Sequence, residues 1–166
     1  MSDKKPAAFR SALNPRTPVL VSCRDKDGRN NALAVVYACN CSYDPPMVMV
    51  GIVPSRHSHS IIKESGVFVA NLVTESMRDA FFYLGSHSGR DEDKLAKLGL
   101  PIADGVKVNA PILLDSPVSI ECTVTGSVVT GSHEMFIGKV EHVHADAGLV
   151  DADGKIDFSR IDFLSV

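Results

Sequence analysis

PVLVSCRDKDGRNNALAVVYA, residues 18–38, reads as two β-strands joined by a turn. Pro18–Arg24 is dense in β-branched residues, which favour the pleated surface of a strand. Asp25-Lys26-Asp27-Gly28 forms the turn, because a Gly after Asp supplies the positive φ that a tight hairpin requires. Ala32–Ala38 is the returning strand, nearly continuous in apolar residues, and so predicts a strand covered on both faces.

The same alternation between strand and punctuation continues along the chain. Asp44-Pro45-Pro46 predicts a loop, since proline donates no ladder hydrogen bond, and Met47–Val53 predicts the next strand. A short helix is expected over Ser58–Glu64, with Ser58 as N-cap, Ile61 and Ile62 facing inward, and Gly66 just past its end. Val67–Leu72 is a fourth strand. Thr74–Leu84 has Met77, Phe81 and Leu84 on one helical stripe. Asp93–Leu98 is a further short helix, stopped by Gly99. From Val118 to Thr125, apolar residues alternate with Ser119, Glu121, Thr123 and Thr125, which predicts a half-buried strand with those polar residues in water. Thr130–His133 is a turn, Met135–His144 returns, and a last hairpin falls around Asp151–Gly154. Many strands and few helices predict a mainly β fold that closes or nearly closes into a barrel.

At 166 residues, with 45% apolar and 22% charged residues, the composition is that of one globular domain spanning 1–166, with residues 1–15 as a polar extension. The net charge of −3 and the lack of any Lys/Arg-rich run give no electrostatic support for nucleic-acid or membrane-surface binding. No signal-like apolar run or membrane-length stretch appears, so a cytoplasmic location is expected. The four cysteines contain no C-x-x-C pair and read as free thiols. Cys39 and Cys41, two apart, have no second ligand pair of recognised spacing. His142 and His144 share a strand face, but no nearby carboxylate or Cys completes a ligand set, and they read as exposed. No metal site is expected.

Chemistry concentrates in Pro54-Ser55-Arg56-His57-Ser58-His59-Ser60. A strand ends, and Ser55, Arg56, His57 and Ser58 lead into a helix start, whose unpaired N–H groups and positive dipole end attract an anion. Arg56 adds a planar donor fork suited to phosphate oxygens. The alternative is that Ser58 only caps the helix while Arg56 and His57 are solvated. Ser86–Lys94 is a second polar loop, rich in donors and charges. Asn30-Asn31 at the start of an apolar strand either meets a ligand across the sheet or completes the turn.

In order, these segments resemble the flavin-reductase-like, FMN-binding split-barrel family, which includes flavoredoxins and the reductase components of two-component monooxygenases. The resemblance is carried by PVLVS at 18–22, Asp27-Gly28, Asn31-Ala32, SYDPPMV at 42–48 and PSRHS at 54–58. It continues with FVANL at 68–72, SGRDEDK at 88–94, Ala110-Pro111, Glu121-Cys122 and HEMFIG at 133–138, and covers roughly residues 9–158. It implies a Greek-key split barrel, a homodimer, and FMN as cofactor, with FAD as a possible substitute. Asn31, Ala32, Leu33 and Ala34 would lie against the flavin ring. Cys39, Asn40, Cys41 and Ser42 would pass the ring or ribityl chain. Ser55, Arg56, His57 and Ser58 would hold the phosphate, and Asn71 with the loop of Ser88, Gly89, Asp93 and Lys94 would close over the flavin. His133 would stand as the catalytic residue near the nicotinamide of NAD(P)H. The implied activity is hydride transfer from NAD(P)H to the flavin, with Lys94 or backbone donors stabilising the charge that develops on the ring. The alternative is a flavoredoxin-like electron carrier reduced by a partner redox protein. The strand after Asn31 reads Leu33-Ala34-Val35-Val36-Tyr37 where relatives often carry Thr and end in Ser or Trp. Flavin contacts there would therefore come from the backbone.

Overall fold

The computed structural model describes residues 3–166; the first two residues of the expected extension lie outside the described residues. The elements follow one another as β1 (Val19–Arg24), β2 (Asn30–Val35), β3 (Ala38–Tyr43), β4 (Pro46–Ile52), α1 (His57–Ser65), β5 (Val67–Leu72), α2 (Arg78–Ser86), α3 (Lys94–Leu98), β6 (Ile102–Asp104), β7 (Pro111–Leu113), β8 (Val118–Thr130) and β9 (His133–Ala145). Seven strands form one antiparallel sheet in the order β2-β1-β5-β8-β9-β4-β3. Its two edge strands, β2 and β3, are consecutive in the chain, with only Val36 and Tyr37 between them. That short link forces the sheet to curl until its edges approach, and the β3–β4 ladder extends into the link through Gly51 N–H, which donates to Tyr37 C=O at 2.7 Å. The result is the expected mainly β split barrel.

The first hairpin forms as its sequence predicts, with Val19 opposite Val35, Arg24 opposite Asn30, and Gly28 at φ 83° in the turn. β1 is buried from Val19 to Cys23 because both its faces are covered. Val19, Val21 and Cys23 join Val35, Val50, Ile52, Phe68 and Phe136 inside the barrel, and Ile61 and Ile62 of α1 pack against this cluster. Leu20 on the other face packs with Met77, Phe81, Leu84 and Leu95 of the α2–α3 layer. Burial of each such side chain stabilises the fold by about 1.5–3 kcal/mol.

Three expectations are corrected. The returning strand ends at Val35 rather than Ala38, and residues 38–43 form β3, which pairs with β4. β3 is an edge strand of polar character with a bulge between Asn40 and Ser42, so it lacks the apolar alternation that marks a strand. Pro46 opens β4 instead of lying in a loop, a position that needs no ladder donor. Helix α1 takes Arg56, with extended backbone, as its N-cap, while Ser58 lies buried inside the first turn. Gly66 closes the helix in the left-handed conformation at φ 71°, where expected.

The polar face of β8 departs furthest from its sequence pattern. Glu121 is fully buried. Its carboxylate accepts the N–H groups of Val106, Lys107 and Val108 at 2.7–2.8 Å and lies 2.5 Å from His144 Nε2. The segment before β7 thus wraps over the strand face expected to meet water, and His144 is paired rather than free. Among the described residues no helix is long and apolar enough to cross a membrane.

Candidate functional site

β4 runs out at Ile52, and the chain turns through Pro54 and Ser55 directly into α1. The start of α1, through Ser55, Arg56, His57 and Ser58, lines a cavity of about 170 Å³. Its walls are Asn31 and Leu33 from β2, Ser55–Ser58 from the helix start, Leu84 from α2, and His87, Ser88, Gly89, Arg90 and Lys94 from the α2–α3 connection. Three pieces of chain distant in sequence therefore meet around one helix N-terminus.

Charge at this cavity is cationic. The side chain of Arg56 makes no hydrogen bond among the described residues, leaving its guanidinium free for a ligand, while its backbone is held by bonds to Val53 and His59. Arg90 reaches across the cavity mouth and donates to Ser55 C=O at 3.0 Å, joining the two loops. Lys94 is buried beneath, and its ammonium donates to the carbonyls of Ala32, Leu84 and His87 at 2.7, 3.0 and 3.1 Å. Burial pulls Lys94 down to about 8, so it remains mostly charged at neutral pH. Desolvation, and then the positive charge of Arg90, hold His57 below its ordinary value, which favours a neutral imidazole.

The hydrogen bonds that set this surface are internal. Asn31 Nδ2 donates to Ser58 Oγ at 2.7 Å, fixing the helix start against β2. Gly89 packs so closely that a Cβ there would lie 2.4 Å from Asn31 Oδ1 and 3.0 Å from His57 Cδ2. Cys23 lies directly below; burial pushes its thiol up to about 12, so it is a packing group.

Of the residues singled out from sequence, Asn31, Leu33, Ser55, Arg56, His57, Ser58, Ser88, Gly89 and Lys94 are brought together here. Ala32 contributes only its carbonyl to Lys94, and Ala34 lies under Gly85. Asp93 caps α3 through Ala96 N–H, outside the cavity. Cys39, Asn40, Cys41 and Ser42 lie on the β3 edge and not on the cavity wall. Asn71 is displaced furthest from its expected place. It is fully buried, donates to Leu20 C=O and Ser22 Oγ, and accepts from Leu113 N–H and Ser119 Oγ, so it ties strands together in the core. His133 begins β9 one residue beyond the Ile52–Glu134 pair, with its ring edge-on to Tyr37 at 4.8 Å. Arg90 lies within the Ser88–Lys94 loop that the resemblance implies, whereas sequence reasoning missed His87 and Leu84 as wall residues.

A helix start facing the cavity-lining cations Arg56, Arg90 and Lys94, on a split barrel, is the arrangement of a protein class that binds phosphorylated small molecules. The chain belongs to the flavin reductase like family, whose domain model matches residues 11–158. It is similar to the flavoredoxin of Desulfovibrio vulgaris (Miyazaki F), with a TM-score of 0.90 and 30% identity, covering 98% of this chain and 87% of that one. It is also similar to an FMN-binding protein from Thermus thermophilus, with a TM-score of 0.78 and 28% identity over 95% of this chain and 87% of that one. Among sequence relatives, the NADH:riboflavin 5'-phosphate oxidoreductase of Streptomyces pristinaespiralis is 29% identical over 80% of this chain and 74% of its own length.

Proposed function

We propose that this chain is a homodimeric, cytoplasmic FMN-binding protein acting as an NAD(P)H:flavin oxidoreductase that supplies electrons to a partner monooxygenase or redox protein. The observation that carries this reading is the convergence of Arg90, two serines and the unpaired side chain of Arg56 on one cavity at the start of α1. That donor set fits a phosphate monoester. The contact of Gly89 with Asn31 and His57 leaves a cradle that a side chain would fill.

Bound FMN supplies a reversible two-electron redox couple. The remaining tasks fall to the chain. Arg56 and the first turn of α1 neutralise the phosphate, and Ser55 and Ser58 fix its orientation. Lys94 does not reach outward, because its three bonds to carbonyls already fill its donor capacity; it holds the wall in place and adds positive potential from below. Leu33 and Leu84 exclude water from the inner wall. His133, at the start of β9 with its ring against Tyr37, is the proposed contact for the nicotinamide.

Two measurements bear on this. Purified protein supplied with FMN should show bound-flavin absorption bands that bleach on anaerobic addition of NADH or NADPH. Bands that persist with both nucleotides favour the second reading, an electron carrier, which the close structural likeness to a flavoredoxin supports. A protein that takes up neither FMN nor FAD refutes both. Second, Gly89→Ala forces Asn31 or the 88–90 loop to move, since the added Cβ would lie 2.4 Å from Oδ1 of Asn31, whose amide is held by its bond to Ser58. FMN affinity, followed by quenching of flavin fluorescence, should fall about tenfold, or about 1.4 kcal/mol. An unaltered affinity would mean that the cradle is not part of the binding surface.

A further inference from the structure

Residues 3–17 are exposed without interruption and adopt no regular secondary structure. Phe9 and Leu13 are 110% and 90% exposed, as open to water as in an unfolded chain. Among the described residues, no hydrogen bond joins this arm to the body. Apolar side chains held in water on an extended arm gain nothing from the chain's own fold.

The molecule also carries an apolar groove that its own chain does not fill. It has a volume of about 680 Å³ and is lined by Val143, Val150, Ile156 and Phe158, with His144 and Lys155 at its edges. Val143, Val150 and Phe158 are 43%, 37% and 50% exposed. The arm and the groove lie at the same end of the sheet. The register Val19–Leu72, Asn71–Ser119 and Val118–Ala145 aligns the start of β1, where the arm departs, with the end of β9, where the groove begins.

Their charges are opposite. The arm carries Lys4, Lys5, Arg10 and Arg16 against Asp3 alone. The groove segment, residues 143–162, carries Asp146, Asp151, Asp153, Asp157 and Asp162 against Lys155 and Arg160. Fifteen extended residues reach about 50 Å, against a radius of about 15 Å for a domain of this length. The arm is therefore long enough to cross to a neighbouring molecule.

We propose that the N-terminal arm of one protomer docks in the Val143–Phe158 groove of a second copy of this chain, Phe9 and Leu13 entering the groove while the arm's cations face the aspartates around it. In a two-fold dimer the exchange is made twice, arm to groove and groove to arm. The inference deepens the homodimer proposed above and is independent of the flavin chemistry.

The test is sedimentation velocity over a concentration series on the full chain and on Phe9→Asp/Leu13→Asp. Because both residues are fully exposed in the monomer, that variant keeps its fold. The dimer dissociation constant should rise by roughly 100-fold. Lys4→Glu/Lys5→Glu/Arg10→Glu should weaken the dimer, and Asp146→Lys/Asp153→Lys on the groove should restore it. A photo-crosslinking benzoylphenylalanine at position 9 should capture the 143–158 segment and give a covalent dimer on a denaturing gel. A crosslink within one chain, or to another face, overturns the proposal. A dimer unaffected by the arm variants overturns it while leaving the homodimer standing, and a protein monomeric at every concentration overturns both.

Discussion

Replacing Arg56 with alanine should raise the dissociation constant for FMN by about 100-fold, with the melting temperature of the ligand-free protein shifted by no more than about 2 °C. The size follows from the kind of bond lost. A guanidinium held against a phosphate makes two charge-assisted hydrogen bonds, together worth about 3 kcal/mol in a partly enclosed site. The small effect on stability follows from Arg56's position at the N-cap of α1. Its side chain caps nothing there and is unpaired within the chain among the described residues. Flavin-fluorescence titration gives the first number and a thermal melt the second. Equal affinity in the variant would remove Arg56 from the phosphate site and return the cluster to an ordinary helix start. Riboflavin, which lacks the phosphate, separates the causes: its affinity should be nearly the same in both proteins.

The second large effect concerns stability. Glu121→Gln is nearly isosteric, yet it turns an amide NH2 toward groups that are themselves donors. The Val106, Lys107 and Val108 N–H groups and His144 converge on the two carboxylate oxygens, and a glutamine can accept at only one of them. Leaving buried donors unmatched costs about 3 kcal/mol, so the melting temperature at neutral pH should drop by roughly 6–12 °C.

The pH dependence has a definite sign. Burial pushes the Glu121 carboxyl up, but the hydrogen bonds from His144 and the three backbone N–H groups outweigh it and bring the group to about 2. Glu134 is also held at about 2, by Ser127, Lys63 and His59. Both values lie below the ordinary 4.5, so the folded state binds fewer protons than the unfolded chain between those limits. The stability these two groups contribute is complete above about pH 4.5 and is lost as pH falls toward about 2. Glu121→Gln removes one of the two titrating groups and should flatten that acid limb. A variant with the native melting temperature, or with the native acid slope, would show that the Val106–Val108 segment is held by something else.

The hairpin of residues 19–35, α1 with its Gly66 stop, and the Met77–Phe81–Leu84 stripe were all legible in the sequence because each is written in a local period or a turn residue. β3 was not. An edge strand buries little, so ACNCSY carries no alternation to read, and its bulge breaks what period there is. Glu121 misleads for the opposite reason. Period-2 patterning sends a polar residue to water, and nothing near position 121 announces that residues 106–108 will fold over it. The candidate site divides the same way. Ser55–Ser58 could be read from a strand end, a serine-rich turn and a helix start. Arg90 could be tied to it only through the resemblance, because its bond to Ser55 spans 35 positions and leaves no local pattern. Asn71 shows the limit of reasoning by resemblance: its place in an ordered motif suggests a ligand, while its four bonds assign it to the core.

The Lys94 ammonium joins β2, the end of α2 and the loop after it at a single point. A ligand seated above that point spans the same three segments and ties them a second time from the solvent side. Occupancy and persistence of the fold are then thermodynamically linked. At a free ligand concentration 100 times its dissociation constant, the native state gains about 2.7 kcal/mol over the unfolded chain. Starving a cell of that ligand would lower the steady-state amount of this protein as well as its activity, with proteolysis clearing the unliganded chains first.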